Sequence, residues 1–266
     1  MQLLTWILIF SLIGGVLSVL IASLFLLLNN PIRLRLIPHL VSFAIGSLLG
    51  AAFLGLLPHA LELVPRQQIH QLFMVILLGL LVFFLLEKLL LWRHCHSDHC
   101  EAHDLEETDI SFHNSHTKNV SGSLIIIGDA VHNFIDGILI AAAFLTDIHL
   151  GIVTALAIAA HEIPQEVGNF AVLLHSGYSR GKAYFYNMLS SLTTIIGAIF
   201  AYYSLAGLTS ILPYCLAIAA SSFIYIAVAD LIPGLHKKIE IVHTIQQVAL
   251  IGLGVTVIYV SHAILH

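Results

Sequence analysis

The sequence is poor in charge. Of its 266 residues only 9% are Asp, Glu, Lys or Arg, while 59% are hydrophobic. A soluble domain carries about a quarter charged residues. The shortage excludes a soluble globular domain and leaves a polytopic membrane protein. Cysteine is scarce too: Cys95, Cys100 and Cys215 are too few and too scattered for a disulfide framework. Proline and glycine are not enriched enough to suggest disorder. A signal peptide is absent from the N-terminus, which lacks a basic start. Its apolar stretch from Leu3 to Leu28 is too long for an h-region of roughly 7–15 residues. The absence with the largest consequence is local: no Lys or Arg occurs between Ser121 and His175.

What is present begins with long apolar runs. A bilayer core needs about 20 apolar residues per helix. Eight segments qualify, at 3–28, 39–62, 70–92, 121–146, 149–175, 184–208, 211–235 and 243–265. The expected fold is therefore an all-α membrane bundle of eight transmembrane helices. The whole chain, 1–266, reads as one transmembrane domain with a single long loop at 93–120.

With eight helices both termini share a side. The links and flanks after helices 1, 3, 5 and 7 hold Arg33, Arg35, Lys88, Arg93, Lys118, Arg180, Lys182, Lys237 and Lys238. The other side holds only Arg66. Basic residues collect on the cytoplasmic side. The termini are thus expected outside and the long loop inside, in a cell membrane, plasma or inner.

Histidine is abundant, with 17 in the chain. The long loop interleaves His94, His96, His99 and His103 with Cys95 and Cys100, among Asp and Glu. It reads either as a solvated acidic linker or as a metal-binding tract; the C-x4-C pair favours the second. No spacing within it defines a fixed structural zinc site.

The remaining polar residues sit inside two helices. Asp129, His132, Asn133 and Asp136 fall at i, i+3, i+4 and i+7, one stripe of helix 4. In helix 5 the stretch from His161 to Asn169 reads H-E-I-P-Q-E-V-G-N. There His161 pairs with Gln165, and Glu162 with Glu166. A tight turn near Asp147 joins the two helices antiparallel, so both clusters lie near the bilayer centre and can face each other. Asp136 and Gln165 are expected to face one another.

The cost of this arrangement is high. A carboxylate at a helix centre costs about 2.5–3.5 kcal/mol on the insertion scale. Asp136, Glu162 and Glu166 unpaired would cost roughly 7–10 kcal/mol together. With no Lys or Arg at that depth, a bound cation or protons must supply the positive charge. Pro164 adds to the case, since proline removes the hydrogen bond to the carbonyl four residues back, here Ala160. Broken or kinked helices at mid-depth recur at transporter ion sites. Imidazole mixed with carboxylate suits zinc, iron(II) and manganese. A calcium or magnesium cage of oxygens would not need His132 and His161.

These two motifs resemble those of the ZIP (Zrt/Irt-like) family of divalent metal transporters. The match is to H-N-F-x-D-G, here His132 to Gly137, and to H-E-x-P-H-E-x-G-D, here His161 to Asn169. The second motif is most similar to the LIV-1 branch. The resemblance implies a 3+2+3 bundle with an inverted repeat. It also implies import of zinc, or of iron(II), manganese or cadmium, by alternating access. Two adjacent metal sites between helices 4 and 5 come with it. His132, Asp136 and Gln165 would form one. Asn133, Asp136, Glu162, Gln165 and Glu166 would form the other. His161 joins them as a candidate ligand. Two positions depart from the pattern: Gln165 stands in place of His, and Asn169 in place of Asp. Both bear on metal preference.

A trace of the repeat is visible at Phe53–Leu61 and Val228–His236, where a proline follows two apolar residues near each helix end. His59, Glu62, Asp230 and His236 are candidate relay groups or simple polar caps; His175 and His262 rank with them. Gly46, Gly50, Ala51 and Gly55 form a small face on helix 2 through which two copies could pack as a homodimer. The expected partners are divalent metal ions and the bilayer, not nucleic acid. Other readings stay open: a metal exporter, a metal-binding membrane scaffold, or an intramembrane zinc metalloprotease using His161 and Glu162 from an incomplete H-E-x-x-H.

Overall fold

The structure is a computed structural model that describes residues 2–94, 115–236 and 241–265. Eight long helical rods run through these residues, with no strand among them. They are α1 (Gln2–Phe25), α2 (Pro31–Glu62), α3 (Ile69–His94), α4 (Ser115–Thr146), α5 (Ile148–His175), α6 (Arg180–Leu205), α7 (Leu212–Leu235) and α8 (Ile241–Leu265). Seven have a stretch long and apolar enough to cross a membrane. The exception is α5, which is as long but carries His161, Glu162, Gln165 and Glu166 in its middle. Most of the expected long loop, including Cys95, Cys100, His96, His99 and His103, lies outside the described residues. Helix α4 starts at Ser115, earlier than its apolar run.

Local chemistry sets the ends. The Asp147 carboxylate accepts from Leu150 N–H at 2.9 Å and starts α5 one residue after α4 stops. Ser179 caps α6 in the same way, accepting from Lys182 N–H at 3.4 Å. Gly177 and Gly207 follow α5 and α6 with φ of 88° and 85°, the left-handed region that closes a helix. Pro164 does not interrupt α5, which runs as one helix through it.

The rods of the two halves interleave, with α4 and α5 packed together between them. Helix α3 packs on α7, and α8 packs on α2. Helix α6 packs on α4, and α1 on α5; α2 meets α5, and α7 meets α4. Exchanging α1–α3 with α6–α8, and α4 with α5, maps each of these pairings onto another. That is the 3+2+3 inverted repeat. The trace in the sequence has a structural counterpart. A π-helical stretch, Ala51–Leu56 in α2 and Ile226–Leu231 in α7, immediately precedes the turn containing Pro58 or Pro233. The most apolar windows of α2 and α7 are 61% and 50% buried, against 6% for α3 and 11% for α8. So α2 and α7 flank the core, while α3 and α8 face lipid.

Glycine sets the closest approaches. A Cβ on Gly137 would stand 1.9 Å from the Thr194 carbonyl oxygen, and one on Gly197 2.0 Å from that of Phe134. Helices α4 and α6 therefore touch backbone to backbone. Helices α2 and α8 do the same, where Gly46 meets Ile251 and Gly254 meets Phe43. The small face of α2 is thus consumed within one chain. Gly46 and Gly50 pack on α8, Gly55 on Leu150 of α5, and Ala51 is fully buried. It leaves no surface there for a second copy.

Candidate metal centre

The polar stripes of α4 and α5 meet at mid-height. His132 and Asp136 come from one turn of α4, and His161 and Glu162 from adjacent positions on α5. His161, Asp136 and Glu162 are buried, and His132 is partly so. His132 Nε2 lies 3.4 Å from His161 Nε2, 3.6 Å from Asp136 Oδ2 and 3.5 Å from Glu162 Oε1. His161 Nε2 lies 3.5 Å from Asp136 Oδ2 and 3.7 Å from Glu162 Oε1.

Those five distances are long for hydrogen bonds and nearly equal. Ligands at about 2.0–2.2 Å from a tetrahedral centre stand roughly 3.3–3.6 Å from one another. Five of the six edges among these donor atoms therefore match a shell sized for one zinc-like ion, and all four atoms lie within 4.8 Å of one another. The carboxylates agree. Both oxygens of Asp136 and of Glu162 are buried without a hydrogen-bond partner. Unpaired buried charge is costly, and a cation in their midst removes the cost.

His161 is oriented for coordination. Its Nδ1 approaches the Ala157 carbonyl oxygen at 3.2 Å. An N–H donated there leaves the Nε2 lone pair facing the other donors, the usual support of a metal-binding imidazole. The Phe223 ring of α7 stands edge-on to the imidazole, with centroids 6.3 Å apart. An apolar wall therefore backs the centre on that side.

The other candidates lie beside this group. Asn133 is fully buried but turned to α6, where its carbonyl oxygen accepts from Thr194 Oγ1 at 2.8 Å. Its amide donates to the Asp129 backbone carbonyl at 3.2 Å. Gln165 is half-buried, and its side chain reaches the Asp129 carboxylate. Asp136 stands instead against the two imidazoles. Glu166 is fully buried with both carboxylate oxygens unpartnered.

Asp129 is satisfied by protein alone. Ser190 Oγ donates to one carboxylate oxygen, and Asn169 Nδ2 to the other at 2.7 Å. This carboxylate ties α4, α5 and α6 together. The α6 partners were not singled out from the sequence, although a signal exists. Asn187, Ser190, Ser191 and Thr194 recur at i, i+3, i+4 and i+7 in an apolar helix, and all four are buried. The remaining candidates lie outside the four-residue cluster, with Asp230 near enough to interact electrostatically with His132 and His161. Glu62, Asp230, His175 and His236 are exposed, and His59 is half-buried with its ring against the Gly55 carbonyl. The His262 side chain lies outside the described residues.

Known proteins bear on this arrangement. A family model described as ZIP Zinc transporter matches residues 2–262. The chain belongs to the ZIP zinc transporter family. Zinc transporter ZIP13 of Mus musculus is 33% identical over 255 residues, covering 85% of this chain and 69% of that protein. Zinc transporter ZIP13 of Homo sapiens is 31% identical over 256 residues, covering 82% and 69%. Zinc transporter ZIP10 of Homo sapiens is 37% identical over 147 residues, 53% of this chain but only 17% of its own length. This chain thus spans about two thirds of its ZIP13 relatives. Membership in a family of transporters, not enzymes, sets aside the metalloprotease reading of His161 and Glu162.

Proposed function

We propose that this chain carries divalent transition metal ions, zinc foremost, inward across its membrane through the centre between α4 and α5. One observation carries the reading. Two imidazoles and two unpartnered carboxylates converge at the edge lengths of a tetrahedral zinc shell, with no Lys or Arg on either helix at that depth. The metal is cargo here. His132, Asp136, His161 and Glu162 replace its water on the way through. The free oxygens of Asp136, Glu162 and Glu166 offer a place for a second ion beside the first. Four donors complete the shell without Gln165, so its neutral amide need not weaken the preference for zinc. Iron(II), manganese and cadmium are the competitors.

The family resemblance alone favours inward flux, and the sorting of basic residues supports termini outside. A ligand set by itself serves both directions. Alternating access fits an inverted repeat, whose two halves can exchange conformations. The test is radiometal uptake into proteoliposomes of the purified protein. Zinc, iron(II), manganese and cadmium are compared, with Glu162→Ala as control. Saturable zinc uptake that disappears in the control is the expected result. Undiminished uptake in Glu162→Ala at equal reconstitution would overturn the assignment. Efflux without uptake from right-side-out vesicles would make the chain an exporter.

A further inference from the structure

The N-terminal parts of α2 and α8 enclose a cleft of about 300 Å³. It lies far along both rods from the metal centre, at the end that also carries Arg180 and Lys182. Arg35, His39, His243, Gln246 and Gln247 line it, with Pro38 and Leu250 as its apolar floor. Among the described residues, no Asp or Glu lines it. Arg35 is exposed and makes no ion pair with a carboxylate among the described residues. The His39 ring is steadied by its Nδ1 at 2.7 Å from the Arg35 carbonyl oxygen. Gln247 Nε2 donates to the Leu235 carbonyl at 3.5 Å, while Gln246 is exposed and has its amide available.

The Arg35 guanidinium, the His39 imidazole and the Gln246 amide, with no acid among the described lining residues, offer donors to a phosphate group. Two imidazoles without a carboxylate or thiolate do not complete a zinc shell. Arginine is suited to phosphate because its planar fork donates two hydrogen bonds at once. Basic pockets between transmembrane helices at the cytoplasmic face take anionic lipid headgroups. The surroundings separate a lipid phosphate from a free one. Along the stripe of α8 that Gln246 and Leu250 begin, Leu253 is 50% exposed and Val257 39% exposed. Acyl chains would lie along that strip while the headgroup sits against Arg35.

We infer that the cleft between α2 and α8 binds the phosphate headgroup of an anionic phospholipid. Because α2 packs on both α8 and α5, a lipid held there braces the seam behind the transport centre. The site stands independently of the proposed cargo, since lipid retention is read without transport.

The test is native mass spectrometry of the purified full chain in detergent, with phosphatidylglycerol and phosphatidylcholine added in equal amounts. Wild type should retain phosphatidylglycerol in preference to phosphatidylcholine. Arg35→Gln should lower that retention about fivefold, the worth of one basic side chain at a membrane surface. Arg35→Lys should keep part of it, which separates loss of charge from loss of fold. Arg180→Gln, an equal loss of charge at the same end, should leave it unchanged. Equal retention of both lipids, or an Arg35→Gln protein that binds like wild type, would overturn the inference. So would displacement of phosphatidylglycerol by millimolar inorganic phosphate together with equal thermal stabilisation by phosphate alone, which would make the occupant a free anion.

Discussion

At the scale of single residues, the centre is defined by what its side chains lack. Asp136 and Glu162 have four buried oxygens between them and no hydrogen-bond donor, whereas Asp129, two turns from Asp136 on α4, has donors on both of its oxygens. Carboxylates on one face of α4 are thus in different surroundings: Asp136 lacks a hydrogen-bond donor, and Asp129 fastens helices. Replacing Asp136 by Ala removes a ligand and a buried charge together. The protein should fold, and its zinc affinity should fall by no less than the roughly 10–100-fold typical of lost outer-shell partners. Isothermal titration on the purified variant reads the affinity, and uptake should be absent. Asn169→Asp tests the other carboxylate. It sets two carboxylates face to face where an amide now donates at 2.7 Å. Like charges that close cannot both ionise freely. Stability in chelator should fall by about 1–3 kcal/mol, the cost of an unsatisfied buried acceptor. Thermal melts with and without zinc should show the variant regaining part of that loss only with the ion present.

At the scale of helices, backbone contact positions the ligands. His132, Asn133 and Asp136 ride on the part of α4 that lies against α6, through Gly137 and Gly197. Asn133 and Thr194 add a hydrogen bond across the same seam. Gly197→Ala places a methyl group against the Phe134 carbonyl, two residues from His132. Overpacking of this kind costs typically 1–3 kcal/mol. The variant should melt lower and carry zinc more slowly. Gly168→Ala is the matched control. A Cβ there meets nothing within 4 Å, so stability should hold or rise by up to about 1 kcal/mol from helix propensity. Parallel melts and uptake on the two variants separate helix seating from any general effect of removing a glycine.

At the scale of the whole molecule, the inverted repeat assigns different solvents to different helices. Helices α2 and α7 flank the central pair, while α3 is bare along most of its length. Leu81, midway along α3, is 55% exposed. Its exposure is to lipid, so Leu81→Lys should cost about 2.5–3.5 kcal/mol of insertion free energy. Abundance in the membrane fraction should drop, yet uptake per inserted molecule should match wild type. Reduced uptake per molecule would mean that α3 does more than face the bilayer.

The sequence alone determined the class of fold and the place of the centre. Low charge and long apolar runs leave few alternatives, because a bilayer forces each span to satisfy its own backbone. Period and depth put His132, Asp136, His161 and Glu162 near one level, because helical spacing is fixed. The paired prolines, Pro58 and Pro233, marked the repeat, but the π-helical stretches before them came only with the structure. Only the tertiary structure decided which polar residues come together in one cluster. Asn133 and Asp129 lie on the same stripe as His132, but their partners Thr194, Ser190 and Asn169 come from other helices. A stripe read from one helix cannot say which neighbour will claim each side chain. The small face of α2 likewise looked available for a second copy until α8 was seen to occupy it. The reason is the same in both cases. Spacing fixes the direction a side chain leaves its own helix, and packing chooses what it meets.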